Sequence, residues 1–203
     1  IEEIEDIEEK FVEAARRTRD AGFDAVELHA AHGYLFSQFF SPRTNMRTDM
    51  YGGSLENRAR FAVEVVQKIK QKLPSFPVIY RFSAEDYVKG GSTLTDSKFL
   101  VQMLEEAGVD AFHVSAGEYD STYLIEPCYD IPHGVHLHLA EEIKKAVEVP
   151  VIAVGRLDPE LAEEAIETGK ADLVAIGRPL LADPWWPKKV AEGRLDDICP
   201  CIY

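Results

Sequence analysis

"VIAVGRLDPELAEEAIETGKADLVAIGRP", Val151–Pro179, contains one pattern twice: a short apolar run that ends in Gly-Arg. Between the two runs, Asp158 stands where a helix N-cap belongs and Pro159 at the first helical position. An amphipathic stretch follows and Gly169 stops it. The runs themselves are short, continuous and rich in Val, as parallel strands covered on both faces tend to be. Strand, turn, helix and strand in that order define a βαβ unit.

The same pattern recurs upstream. "IEEKFVEAARRTRDAGFDAVELHA" predicts a helix, a stop at Gly22 and a strand at about 24–28. "RARFAVEVVQKIKQKLPSFPVIYRFS" predicts a helix ended by Pro74 and a strand at about 77–82. "SKFLVQMLEEAGVDAFHVS" predicts a helix to Ala107, a C-cap at Gly108 and a strand at about 110–115. The remaining strands are predicted at about 150–154 and 172–176. Helix and strand alternating at intervals of roughly 25–50 residues make an α/β protein, either a doubly wound sheet or a (β/α)8 TIM barrel. A complete barrel takes about 250 residues. With 203 residues and five strands, the chain is either an open sheet or the five C-terminal βα units of a barrel, and its ends favour the barrel.

The totals narrow the function. A formal net charge of -14 argues against nucleic acid and anionic membrane surfaces as partners. No apolar run reaches transmembrane length, and the acidic start does not resemble a signal peptide, so a soluble cytoplasmic protein is expected. Cys128, Cys199 and Cys201 do not make a disulfide framework.

Ligands of βα-repeat proteins gather at the C-terminal ends of the strands. After the first strand come His29, His32, Gly33 and Tyr34. Two imidazoles can donate hydrogen bonds to a carbonyl oxygen that gains charge, and a phenol can deliver a proton. The alternatives are core packing, or zinc held by the histidines with a third ligand still to be found. Arg81 closes the second strand; it either meets an anionic ligand or pairs with Glu85 or Asp86. The polar segment after the third strand offers Ser115, Gly117, Asp120 and Tyr123. After the last two strands, Gly155-Arg156 and Gly177-Arg178 suit phosphate, with backbone N–H groups and a helix N-terminus as donors, or are simple turns with surface arginines. "SPRTNMRTDMYGGSLENRARF" reads as a built loop over the active face that turns helical at Ser54, with Arg58 and Arg60 as helix charges.

Two long stretches carry a family resemblance. "GFDAVELHAAHGYLFSQFFSPRTNMRTDMYGGSLENRARF" resembles the signature of the old yellow enzyme family of FMN-dependent ene-reductases. "VIAVGRLDPELAEEAIETGKADLVAIGRPLLADPWW" resembles its phosphate-binding end. The likeness covers nearly the whole chain and leans toward the 2-enoate and 2,4-dienoyl-CoA reductase branch. It implies a TIM barrel with FMN at its mouth, reduced by NADH or NADPH, acting on an activated C=C bond of a small unsaturated carbonyl compound. It further implies His29 and His32 on the substrate carbonyl, Tyr34 as proton donor, Arg81 beside the flavin, and Gly155, Arg156, Gly177 and Arg178 around its phosphate. In that family the His pair follows the fourth strand, so residues 1–196 correspond to the C-terminal part of the barrel. Residues 197–203 would begin an iron–sulfur segment, with Cys201 as the first ligand of a 4Fe-4S cluster. Two rivals remain: a phosphate-binding barrel with a His-bound metal, and a cofactor-free half-barrel whose bare sheet edges drive homo-oligomer formation.

Overall fold

The structure, a computed structural model, describes residues 1–202. Five strands form one sheet: β1 (Val26–Ala30), β2 (Val78–Ser83), β3 (Ala111–Ser115), β4 (Val151–Val154) and β5 (Leu173–Ala175). All neighbours are parallel and the spatial order follows the chain, β1-β2-β3-β4-β5. A doubly wound sheet would reverse direction at a switch point. A sheet that always steps the same way is barrel winding, and the chain supplies five consecutive βα units of it.

The main helices cover one face of the sheet: α1 (Glu2–Asp20), α3 (Leu55–Lys72), α4 (Leu94–Ala107), α6 (Leu137–Lys144) and α7 (Pro159–Glu167). Their local signals match their ends. Ser54 caps α3, Thr93 and Asp96 form a capping box on α4, and Gly108 closes α4 in the left-handed region. Asp158 caps α7 ahead of Pro159. Short helices α2 (Leu35–Phe40), α5 (Thr122–Ile125), α8 (Arg178–Ala182) and α9 (Trp186–Ala191) were not predicted, being too brief for periodicity to show. None of the helices among the described residues is long and apolar enough to cross a membrane.

The core lies between sheet and helices. Tyr80, Phe82 and Phe112 from the strands meet Phe36 of α2 and Phe61, Val65 and Ile69 of α3, all essentially inaccessible. Phe61 stacks on Phe39 with centroids 4.4 Å apart and packs against Phe36 at 5.0 Å. The opposite face of the sheet, which points into the barrel, carries the polar side chains.

An aspartate clasp occurs twice at the N-terminal edge of the sheet. Asp110, just before β3, accepts the Val78 N–H at 2.7 Å and pairs with Lys70 of α3 at 2.7 Å. Asp172, just before β5, accepts the Val151 N–H at 2.8 Å and pairs with Lys144 of α6 at 2.6 Å. Each carboxylate satisfies the first donor of the preceding strand, which the ladder leaves unpaired.

The segment 41–53, which follows α2, is held from two sides. Arg58 donates to the carbonyls of Phe40 and Gly53, and Arg60 to that of Met50, so these arginines staple the loop to α3. On the other side, Ser41 Oγ donates to Asp86 at 2.9 Å and Arg43 pairs with Asp120, both beyond strand ends.

Phe61 is fully buried among aromatic rings, so truncation leaves a cavity that rigid neighbours cannot fill. Phe61→Ala should destabilise the fold by about 3–5 kcal/mol, read from chemical denaturation midpoints at unchanged m-value.

Candidate active site

Strand β1 runs two residues further than its apolar pattern suggested, so His29 lies within the strand rather than after it. Register sets His29 beside Arg81, and Arg81 beside His113, all on the inward face. After Ala30 the chain turns sharply. His32 adopts φ 64 and Gly33 φ 79, two left-handed residues in succession. For His32 this is a strained conformation that neighbouring bonds must hold.

Three kinds of bond do so. The His32 N–H donates to Ser83 Oγ at 3.0 Å, and Ser83 Oγ donates to the Gly117 carbonyl at 2.7 Å. The His32 ring joins Nε2 to Ser115 Oγ at 2.8 Å. Helix α2 grips the turn from outside, with Ser37 Oγ donating to the Ala30 carbonyl at 2.7 Å and Gln38 to the Gly33 carbonyl at 2.8 Å. The result packs His29 against His32 (centroids 5.4 Å apart) and against Tyr34 (5.1 Å).

These rings line a cavity of about 400 Å³ together with Arg81, Tyr119 and Glu126. A second cavity, of about 460 Å³, lies between the ends of β4 and β5 and is lined by Gly155, Arg156, Gly177 and Arg178. Arg81, Ile125 and Glu126 line both. The two groups of candidate residues, more than a hundred positions apart in sequence, thus share one composite site.

Electrostatics in the first cavity keep the imidazoles neutral. Burial and the Arg81 cation push His32 down to about 4, and the same two causes lower His29. Arg81 makes no ion pair among the described residues: Asp86 is occupied by Ser41 Oγ (2.9 Å) and the Ser92 N–H (2.7 Å). Its Nε is buried with no hydrogen-bond partner among the described residues. Below it, Glu27 accepts a hydrogen bond from His113 Nδ1 at 2.9 Å. Burial opposes the charge on Glu27, but that bond and the positive charge of Arg81 outweigh it and hold the carboxyl below its usual range.

The second cavity is shaped by Gly155. Its φ of 127 suits glycine, and a Cβ there would stand 2.9 Å from the His136 ring. The arginines reach further than a surface turn would require. Arg156 donates to the Cys128 carbonyl at 2.6 Å and Arg178 to the Pro127 carbonyl at 2.7 Å, so both also order the loop that follows β3. The N-terminus of α7, offered to phosphate by the sequence, is filled by Asp158, which accepts the Leu161 N–H at 2.8 Å. The donors left for an anion are those of the Gly turns.

Other candidates fall outside both cavities. Asp120 is spent on Arg43, and Tyr123 is exposed and lines neither cavity. Among the described residues, no group of three or more His, Cys, Asp or Glu stands ready to hold a metal ion, at the His pair or elsewhere. Cys199 and Cys201 are free thiols beside Trp186 in a separate cavity. Sequence patterns missed Ser83, Tyr119 and Glu126, whose roles arise only when strand ends meet; Ser115 stood out only for its neighbour Gly117.

Comparison with known proteins fixes the family. Residues 1–197 match the family model described as NADH:flavin oxidoreductase / NADH oxidase, and the chain belongs to that family. It is 54% identical to NADH oxidase of Thermoanaerobacter brockii, over all of this chain and 31% of that protein. It is 44% identical to cinnamate reductase of Clostridium sporogenes, over 99% of this chain and 33% of that protein. The chain therefore spans about a third of the length of these relatives. Among solved structures, 2-naphthoyl-CoA reductase in complex with 2-naphthoyl-CoA superposes with a TM-score of 0.94 at 38% identity, covering 98% of this chain and 31% of that one.

The depressed His32 makes a pH prediction. Its folded-state value lies below that of the unfolded chain (about 6.5), so the unfolded chain takes up the proton first as pH falls. Stability from this group is complete above about 6.5 and is lost progressively toward 4, by up to about 3 kcal/mol. His32→Asn, which tolerates the left-handed backbone, should flatten this part of the stability-versus-pH curve measured by thermal melting.

Proposed function

We propose that the full-length protein is an FMN-dependent NAD(P)H oxidoreductase that reduces activated C=C bonds, and that this chain supplies its substrate clamp, proton donor and phosphate end. One observation carries the reading. Two neutral imidazoles, a phenol and an arginine with no ion pair among the described residues line a cavity that shares Arg81 with a glycine-turn cavity.

The residues present fit FMN. Gly155 gives close backbone approach, Gly177 has open space where a Cβ would stand, and Arg81 holds a buried donor without a partner. Gly155, Arg156, Gly177 and Arg178 would hold the phosphate, and Arg81 would face the ring system. FMN, when bound, supplies the hydride that NADH or NADPH delivers to it.

The chain's own groups do the rest. Neutral His29 and His32 donate N–H hydrogen bonds to the substrate carbonyl oxygen, where charge accumulates as the alkene is reduced. Their neutrality matters, since an imidazolium would place two more cations beside Arg81. The Ser115 bond fixes the ring of His32. Tyr34, half exposed in the same cavity, delivers its proton to the α-carbon. The relatives that act on cinnamate and on 2-naphthoyl-CoA support an unsaturated carboxylate or its CoA thioester as substrate. Residues 1–196 form the barrel portion. Residues 197–203 begin a cysteine-bearing segment in which Cys201 is the first ligand of a 4Fe-4S cluster completed by later residues.

The absorbance spectrum of the full-length protein tests this directly: a flavin band should bleach with anaerobic NADH or NADPH and return on adding cinnamate or an enone. A colourless protein carrying stoichiometric zinc would overturn the reading. His29→Ala with His32→Ala should lower alkene turnover at least about a hundredfold while leaving FMN bound, as loss of oxyanion donors does.

A further inference from the structure

The loop after β3 places an exposed tyrosine directly on the candidate acid. Tyr119 opens the short 3-10 turn Tyr119–Ser121 and meets the Tyr34 ring edge-on, with centroids 5.6 Å apart and planes at 77°. Its position is built rather than incidental. The Glu118 N–H donates to Ser121 Oγ at 2.8 Å, and Ser121 Oγ donates to the Asp86 carbonyl at 2.6 Å. Asp120, next in the chain, is tied to Arg43. On the other side, a Cβ on Gly33 would stand 3.0 Å from the Tyr119 ring, so that glycine leaves the room the ring occupies. Two glycine-and-tyrosine turns from different strands therefore interlock over His29.

We propose that Tyr119 is a second phenol of the proton-delivery site: its hydroxyl donates to the Tyr34 oxygen and stabilises the charge left there when Tyr34 releases its proton. This rests on the reading of Tyr34 as the acid. In the step itself, the Tyr34 O–H bond breaks as a C–H bond forms at the substrate α-carbon. The O–H electron pair stays on the Tyr34 oxygen. Tyr119 keeps its own proton throughout, and water returns one to Tyr34 afterwards. A hydrogen bond to an ionised oxygen is stronger than one to a neutral phenol, so the contact favours the transferring state over the resting one. The charge distribution agrees: the neighbouring Tyr34 phenol, and after it burial, push the Tyr119 phenol above its ordinary range.

Tyr119 is 58% exposed and contributes little burial, so Tyr119→Phe should fold normally and keep the ring contact. In the full-length enzyme this variant should slow the alkene-dependent half-reaction on the order of tenfold to a hundredfold. Flavin reduction by NAD(P)H and FMN affinity should not change, and the alkaline limb of the turnover–pH profile should move to higher pH. A second readout needs no cofactor. In ¹³Cζ-tyrosine spectra of the full-length apoprotein, Tyr119 should titrate above ordinary tyrosine and return to the ordinary range in Tyr34→Phe. An unchanged alkene half-reaction in Tyr119→Phe, or a Tyr119 titration indifferent to Tyr34→Phe, overturns the proposal. A wild-type enzyme that reduces no alkene overturns the functional reading instead, while the apoprotein titration still decides whether the two phenols are coupled.

Discussion

The register that sets His29 beside Arg81, and Arg81 beside His113, is the constraint on which the site depends. In a parallel sheet every strand ends on the same side, so residues at matching heights form a row across it. One row carries His29, Arg81 and His113; two residues higher, Ser83 faces Ser115. That upper row meets the left-handed turn after β1 and holds His32 through both its backbone and its ring. A one-residue slip would send Arg81 to the helix face and bring Tyr80 or Phe82 into the cavity. The aromatic core on the helix side makes such a slip prohibitively unfavourable, so packing on one face protects chemistry on the other.

Arg81 then sets the electrostatics. This half-buried cation acts on the titrating groups around it. Burial first and Arg81 second lower both imidazoles, while the His113 hydrogen bond, with Arg81 behind it, keeps Glu27 charged against burial. Glu27 sits low in the sheet, bonded to His113, and Glu126 lines the cavity nearer its mouth. Arg81 is thus the cation that a ligand bearing or gaining negative charge would meet on the inward face.

Much of this was legible beforehand. The five strands and the main helices announce themselves through Gly and Pro punctuation and through caps such as Ser54 and Asp158, which act within a few residues. The presence of His29, His32, Tyr34 and Arg81 at strand ends was equally local. Tyr119, Ser83 and Glu126 were not legible, because their meaning comes from partners dozens of residues away. Tyr123 and Asp120 looked as suitable as Tyr119 in sequence; the 3-10 turn alone decides which of the three faces Tyr34. The anchoring of loop 41–53 was hidden for a related reason. Nothing in its polar composition reveals that Arg58 and Arg60 aim at backbone carbonyls.

The aspartate clasp at the opposite edge has a consequence of another kind. It joins β2 to β3 through Asp110, and β4 to β5 through Asp172, each time with a lysine from the helix before the first strand of the pair. Strands are thus closed off two at a time. A break between β3 and β4 leaves both clasps whole, whereas a break inside either pair strips a strand of its first hydrogen bond and its helix of an ion pair. Each clasp thus locks two neighbouring strands and one helix into a unit, whereas β3 and β4 are joined by different contacts, such as Glu105 accepting the Glu148 and Val149 N–H groups.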